Sequence, residues 1–217
     1  DLSPYYDFSD GSQISQLFFK NNLTGESIHQ DNIYINNIKI SDEMDLSDIK
    51  KVFDNSQIKW TMTDDELFIK RGSYYIKEDI LLPLGIHLKI ESGTKLILSE
   101  GVSIVIQGNL SALGSEKYPI IVIPKDEKKP FGVFGVQGNN KSQVNLDYFY
   151  LSGGNEAEVN GVHYTGQLSL YNLVMTTIRN SIIASSKSDD GLNIKNSEVL
   201  IENSKFLNNS FDQIDLD

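Results

Sequence analysis

The sequence predicts an all-β fold built from one structural unit that recurs along the chain. The segment IRNSII at residues 178–183 returns 23 positions later as IENSKF at residues 201–206. The segment DGLNI at residues 190–194 returns 22 positions later as DQIDL at residues 212–216. Repeats of about 20 to 25 residues, rich in β-branched residues and with Asn and Ser where the chain bends, are typical of solenoid coils. We therefore expect a right-handed parallel β-helix with a small mixed α/β cap at its N-terminal end.

The predicted cap occupies residues 1–72. Within it, IYINNIKI at residues 33–40 predicts a β-hairpin, because Asn at both turn positions tolerates a positive φ. A short helix follows, capped by Asp45 or Ser47 and continuing through Phe53, with its apolar residues on one face. The first coil of a solenoid exposes apolar side chains and unpaired backbone groups, so an element that covers this end has a physical role.

The predicted β-helix occupies residues 73–217. Its short segments alternate apolar and polar residues, and Gly, Pro or Ser separates them about every eight to ten residues. The segment LDYFYL at residues 146–151 matches the template of residues 178–183, so we expect these two segments to stack. Residues 124–130 place charged residues between two prolines, which predicts a polar loop that leaves the body of the helix.

Composition and charge limit the classes of partner. The 217 residues carry a formal net charge of −11, and 39% of them are hydrophobic, which is enough for a continuous core. The acidic excess disfavours nucleic acid and anionic lipid, so we expect neither as a partner. Cysteine is absent, which excludes disulfides and cysteine-ligated metals. No apolar run is long enough to span a bilayer. The start at Asp1 and the strand still in progress at Asp217 lead us to expect a mature or excised piece of a longer protein, truncated at its C-terminal end.

Several segments carry a resemblance to a known family. Residues 85–98 (GIHLKIESGTKLIL), 106–114 (IQGNLSALG) and 119–122 (PIIV) resemble the first coils of bacterial right-handed β-helix proteins with a pectate-lyase-like fold. The pattern in that family is P-x-G-x-x-L-x-I-x-x-G-T, then G-x-L-x-A-x-G, then P-I. Residues 188–194 (SDDGLNI) and 211–217 (FDQIDLD) resemble coils of exported bacterial proteins, some of which also carry a spore-coat-H-like kinase domain.

The resemblance covers about residues 74–217 and implies an exported, extracellular or cell-envelope protein of bacteria. It supplies no settled site motif. The kinase domain is not in this chain, since neither a Gly-rich phosphate loop nor a His-Arg-Asp motif is present. Asp-Asp-Gly at residues 189–191 is similar to a polygalacturonase motif, but the Gly-His-Gly and Arg-Ile-Lys elements that accompany it there are missing. A lyase would need an arginine base, and Arg179 lies in another strand.

The strongest chemical candidates are the acidic residues of the last two repeats. A 22-residue register pairs three sets of residues on neighbouring strands: Asp190 with Asp212, Asn193 with Asp215, and Lys195 with Asp217. Stacked strands lie about 4.8 Å apart. Because side chains alternate along a strand, the second and third pairs face outward, and we expect them to form an acidic and polar wall.

Asp189, Asp190 and Asp212 are the candidate catalytic residues. Two carboxylates about 5 to 9 Å apart can act as acid and base on a glycosidic bond. The same three carboxylates could instead hold a calcium ion; no other cofactor is expected. Asp215 and Asp217 are candidate ligand-binding residues. The structural alternative is that these carboxylates cap turns and form ion pairs, each contributing no more than about 1 kcal/mol where exposed.

His163 and Tyr164 complete the candidate ligand-binding residues. They lie in GVHYTGQ at residues 161–167, which has the composition of a loop with aromatic neighbours. His163 could act as an acid or a base, and a tyrosine ring could stack on a sugar. A surface histidine without a chemical role is the structural alternative. No two histidines have the spacing of metal ligands.

Two classes of function follow from these residues. The first is a non-catalytic scaffold or interaction module that presents a long polar wall to a glycan or to a neighbouring domain. The second is a polysaccharide-active lyase, hydrolase or epimerase that uses the clustered carboxylates. The two classes differ in geometry, because an enzyme needs two or more of the carboxylates to converge in a groove, whereas a scaffold leaves them spread out.

Overall fold

The computed structural model describes three parts of the chain: Gln16–Lys20, Ser27–Asp31 and residues 46–217. The chain divides into two compact units, residues 1–42 and residues 43–217. In the first unit, strands β1 (Gln16–Lys20) and β2 (Ser27–Asp31) form an antiparallel pair. The hairpin that the sequence predicts at residues 33–40 lies outside the described residues.

Helix α1 (Leu46–Asn55) begins the described part of the second unit, and it is the helix that the sequence predicts. Ile49, Val52 and Phe53 are buried, as the three-to-four-residue spacing of an amphipathic helix requires. The ring of Phe53 packs edge-on against that of Trp60, with 5.6 Å between the ring centroids. Among the described residues, no helix is long and apolar enough to cross a membrane.

The strands of the second unit form three large sheets and one small hairpin. Sheet I contains β3 (Trp60–Thr63), β4 (Glu66–Ile69), β7 (His87–Ile90), β10 (Leu110–Leu113), β13 (Gln143–Asp147), β18 (Met175–Arg179) and β21 (Val199–Glu202). Sheet II contains β5 (Ser73–Ile76), β8 (Lys95–Leu98), β11 (Ile120–Pro124), β14 (Phe149–Ser152), β19 (Ile182–Ala184) and β22 (Lys205–Leu207). Sheet III contains β6 (Ile80–Leu82), β9 (Ile104–Ile106), β12 (Phe134–Gln137), β17 (Gly166–Tyr171), β20 (Asp190–Lys195) and β23 (Asp212–Leu216). The hairpin consists of β15 (Ala157–Val159) and β16 (Val162–Tyr164).

From β4 onward the chain visits sheets I, II and III in turn and then returns to sheet I, with the hairpin inserted between β14 and β17. Each strand therefore pairs in parallel with the strand one repeat earlier. Only β3 departs from this within the three sheets, since it pairs antiparallel with β4. The second unit is thus mostly β structure in parallel sheets, an arrangement compatible with a β-helix-like solenoid.

The strand register follows the sequence repeats. Ile178 pairs with Ile201, and Asp190 pairs with Asp212, as the 23- and 22-residue spacings predict. Leu146 pairs with Ile178, which confirms the predicted match between residues 146–151 and 178–183. The repeat spacing therefore determines which side chains stack on neighbouring strands.

Alternate side chains of all three sheets meet in one hydrophobic core. In β8, for example, Leu96 and Leu98 are buried whereas Lys95 and Ile97 are partly exposed. Burying one such leucine contributes about 1.5–3 kcal/mol, so the shared core is the main stabilising element of this unit. The residues on the outward face of each strand are then free to differ between sheets.

Asparagine occupies a recurring turn position between sheet III and sheet I. Asn140, Asn172 and Asn196 follow β12, β17 and β20 and have φ values of 60°, 56° and 46°. Asn tolerates this left-handed conformation, which most residues with a Cβ atom avoid. The Asn196 Nδ2 atom also donates to Asn172 Oδ1 at 2.9 Å. The same residue type thus bends the chain and links successive repeats.

The two ends of the core differ. At the N-terminal end, α1 packs against β6. At the other end, Phe211 and Leu216 are 75% and 62% exposed, and no described element covers them. The predicted polar loop is also present, since residues 125–129 are exposed beside sheet II.

Candidate functional site

Asp190 is the one buried carboxylate among the acidic candidates of the last two repeats, with 3% of its surface exposed. The Thr165 hydroxyl donates a hydrogen bond of 3.1 Å to Asp190 Oδ2. The backbone carbonyl of Asp190 accepts hydrogen bonds from the hydroxyls of Ser186 at 2.9 Å and Ser188 at 2.6 Å. These contacts hold Asp190 at the start of β20.

The environment of Asp190 favours its neutral form. Burial raises the pKa of this carboxyl above its ordinary value, and the nearby carboxylates of Asp215, Asp189 and Asp212 raise it further. The hydrogen bond from Thr165 acts in the opposite direction and lowers the pKa, but burial has the larger effect. Asp190 is therefore more easily protonated than an exposed aspartate.

The other acidic candidates are distributed over the end of sheet III. Asp189 and Asp212 are exposed, although Asp212 lies next to Asp190 in the strand register. Asp215 accepts a hydrogen bond of 2.8 Å from Asn193 Nδ2. Asp217 forms an ion pair of 3.2 Å with Lys195, as the register predicts. Within the described ranges, no group of three or more His, Cys, Asp or Glu residues is arranged to hold a metal ion.

The β15–β16 hairpin changes the expected outer wall of sheet III. The ring of Tyr164 stacks on that of Tyr171, with 5.3 Å between centroids and 11° between planes. Together with Val105, Val133 and Val159 these rings form a second apolar cluster on the outward side of the sheet. Asn193, expected on an exposed wall, faces outward but is completely buried. The expected polar wall is therefore only partly exposed, and the hairpin packs over another part of the outward face of sheet III.

His163 and Tyr164 point in opposite directions, because side chains alternate along β16. Tyr164 is buried in the second apolar cluster, so its ring packs against protein atoms. His163 is exposed and lies 3.6 Å from the Glu156 carboxylate on the same hairpin. The structure therefore does not bring these two candidate residues together on one ligand-facing surface.

A groove on the outer face of sheet II did not follow from the sequence reasoning. It has a volume of about 570 Å³ and lies beside the 125–129 loop. We call it the sheet II groove. Its lining includes Ile121, Ile123, Lys125, Tyr150, Ser152 and Lys187. Glu127 also contributes to the wall.

The floor of the sheet II groove belongs to two outward-facing rows. One row runs through six strands, from Ser73 through Lys95, Ile121, Tyr150 and Ile182 to Lys205. The second row begins with Tyr75, Ile97 and Ile123. These residues are the polar positions of the alternation, yet aliphatic and aromatic side chains occupy most of them. This departure from alternation is the sequence signal that could have revealed the groove.

Tyr75 and Lys125 interact next to the groove. The Lys125 ammonium lies 4.5 Å from the centroid of the Tyr75 ring, and Lys77 lies 5.3 Å from it. The Ser99 hydroxyl donates a hydrogen bond of 2.9 Å to the Tyr75 oxygen. These contacts lower the pKa of Tyr75, first through the Ser99 hydrogen bond and then through Lys125. The lysines on this face therefore help to lower the pKa of the Tyr75 hydroxyl.

Comparison of the chain with protein-family models, with curated proteins and with solved structures finds no match. No relative therefore supplies a site motif for either surface.

Proposed function

We propose that residues 73–217 form a right-handed parallel β-helix that serves as a non-catalytic interaction module of a bacterial envelope or secreted protein. The module presents an outer sheet face to a glycan or to a neighbouring domain. Support for the β-helix comes from the repeated order of sheets I, II and III around one core. The right hand is the one that connections between parallel strands adopt in about 98% of cases.

One observation carries the non-catalytic role: three of the five candidate carboxylates have structural partners. Asp190 is buried against Thr165, Asp215 bonds to Asn193, and Asp217 pairs with Lys195. The hairpin with Tyr164 packs over the same sheet face. A hydrolase needs an acid and a base on opposite sides of one substrate bond, whereas here Asp190, Asp215 and Asp217 each contact a structural partner instead.

A polysaccharide-active enzyme is the second candidate, and a specific observation favours it. Asp190 has a raised pKa and lies in register with the exposed Asp212. Two neighbouring carboxyl groups, one of them with a raised pKa, are the kind of pair that glycoside cleavage uses. In this alternative, Asp190 would act as the acid, and Asp212 or Asp189 as the base or nucleophile.

The two functions are separated by incubating the protein with a panel of acidic and neutral polysaccharides, with and without calcium. Reducing ends and unsaturated uronate absorbance report cleavage, and thermal unfolding reports binding. We expect a rise in Tm with at least one glycan and no product. If the wild type forms cleavage product and Asp190→Asn and Asp212→Asn do not, the enzyme hypothesis is correct and the non-catalytic interaction module is wrong.

A further inference from the structure

The outer face of sheet II combines exposed apolar surface with cations. Ile97, Ile121, Ile123 and Tyr150 each keep part of their surface accessible on a sheet face that no described element covers. Contiguous partly exposed apolar residues with a polar rim commonly mark a binding surface. In sheet III, by contrast, the hairpin covers the corresponding face. The outer face of sheet II therefore keeps an open groove with apolar residues in its floor.

Two lysines, Lys125 and Lys187, line this groove together with Glu127, and further lysines lie on the same sheet face. Five lysines lie along or beside the two outward rows: Lys77, Lys95, Lys125, Lys187 and Lys205. Within the described part of the chain, none of the five forms an ion pair. The whole chain has a net charge of −11, so this concentration of unpaired cations is local. It complements a ligand with repeated negative charges.

The groove offers side chains, and no free backbone groups, for contact with a ligand. It lies on the face of sheet II, where the backbone N–H and C=O groups of β11 and β14 are already paired with neighbouring strands. An extended peptide that adds to a sheet needs a free edge instead. The groove offers a tyrosine ring for stacking, lysines for carboxylates, and the hydroxyl of Ser152 as a hydrogen-bonding group. Stacking, ionic contacts and hydroxyl contacts together match the faces, carboxylates and hydroxyls of an acidic sugar.

We propose that the sheet II groove binds a linear polysaccharide that carries carboxylates, a uronate polymer. Sugar rings stack on Tyr150 and on the isoleucine rows, and Lys125 and Lys187 contact the carboxylates on either side. This inference rests on the proposed interaction module and specifies its ligand class and its binding face. It assigns no role to the acidic end of sheet III.

The test uses the whole chain and titrates it calorimetrically with alginate, a uronate polymer. Esterified alginate, which lacks most of the negative charge, and poly-glutamate, an anionic peptide, are the comparison ligands. The groove variant is Lys125→Glu/Lys187→Glu. The matched control is Lys70→Glu/Lys141→Glu, which changes two exposed lysines outside the groove and produces the same net charge. Tyr150→Leu removes the aromatic ring but keeps an apolar side chain. Thermal unfolding of each variant verifies that it is folded.

We expect alginate to bind at about 0.1 M salt. Its affinity should fall as the salt concentration is raised to about 1 M, because screening increases. The groove variant should lose at least about tenfold in affinity and Tyr150→Leu about two- to tenfold, whereas the control variant should stay near wild type. Equal losses in the groove and control variants, or equal binding of poly-glutamate or of esterified alginate, would overturn the inference.

The outcomes also separate this inference from the proposed function. If alginate fails to bind while another glycan of the panel raises Tm without product, the groove assignment is wrong and the interaction module stands. If polysaccharide cleavage is detected, the non-catalytic function is wrong, whatever the groove variants do.

Discussion

At the scale of single residues, the same amino acid has different consequences in different positions of the repeat. Asp190 and Asp212 are equivalent in the 22-residue register, yet Asp190 is buried and Asp212 is exposed. The difference arises because β20, which carries Asp190, lies between two neighbouring strands, and because the Thr165 hydroxyl bonds to the Asp190 carboxyl. Burial therefore raises the pKa of the Asp190 carboxyl.

The raised pKa of Asp190 predicts a pH effect on stability. The folded state holds the Asp190 proton more tightly than the unfolded state does. This stabilisation is complete below the ordinary aspartate pKa and is lost as the pH rises through the raised pKa of the folded state. Asp190→Asn removes the buried charge and keeps an acceptor for Thr165. We therefore expect a higher free energy of unfolding at neutral pH and a flatter pH profile, measured by urea unfolding from pH 4 to pH 8.

The exposed Asp189 provides the control for this measurement. Asp189→Asn removes the same formal charge one residue away, and we expect a smaller change in the free energy of unfolding. A lower stability of Asp190→Asn at neutral pH would show that the ionised carboxylate is stabilising and that burial does not dominate its pKa.

The asparagine turns make a second prediction at this scale. Asn172 has a φ of 56° and accepts a hydrogen bond from Asn196. Asn172→Ala removes the bond and places a less tolerant residue in the left-handed conformation, so we expect a loss of about 1–2 kcal/mol in urea unfolding. Asn172→Gly also removes the bond but tolerates the φ value, and should lose less. If the glycine variant is the less stable one, backbone conformation is not the reason for asparagine here.

At the scale of elements, the β15–β16 hairpin converts an outward sheet face into a second core. Tyr164 contributes the largest buried side chain of this cover. The hairpin packs over Val105 and Tyr171, which face outward by the alternation of β9 and β17. The inserted hairpin, which spans residues 157–164, therefore changes the character of one wall without changing the strands beneath it.

Substitutions within the hairpin test this role. Tyr164→Ala should lower the free energy of unfolding by about 3–5 kcal/mol, the range for truncating a buried aromatic residue. The adjacent His163→Ala should change it by no more than about 0.5 kcal/mol, because His163 is exposed. Chemical denaturation followed by circular dichroism gives both values. Similar effects of the two substitutions would argue against the buried packing of Tyr164.

At the scale of the whole second unit, the three sheets share a core but present different outer faces. Sheet II carries unpaired lysines, tyrosines and isoleucines, and the end of sheet III carries aspartates. The ends of the core also differ, since α1 packs against β6 whereas Ile214 and Leu216 in β23 are exposed. Stability should therefore vary along the stack of strands.

Hydrogen exchange followed by mass spectrometry tests this variation. Strands β6 and β23 are both edge strands of sheet III. We expect the backbone amides of β23 to exchange faster, because its apolar side chains are exposed and those of β6 are buried beneath α1. Equal protection of the two edges would show that the helix contributes nothing to the stability of its end.

The candidate site was predictable only in part. Sequence spacing placed Asp190 beside Asp212, Asn193 beside Asp215 and Lys195 beside Asp217, and the structure has these contacts. The spacing could not indicate that Tyr164 and Thr165 fold back over β17 and β20, because the segment that contains these two residues has no counterpart in the other repeats. Nor did it indicate the sheet II groove, whose floor joins residues from strands that are distant in the sequence and whose wall is the 125–129 loop.

The sequence by itself determined the strands and the register of the last two repeats, because these depend on local alternation and on a spacing of 22 to 23 residues. It also placed asparagine at the left-handed turns, where backbone conformation selects the residue type. Only the tertiary structure decided which outward face is covered and which is open. Exposure depends on non-repeating insertions packing against particular sheets, and such contacts between distant segments leave no periodic signal in the chain.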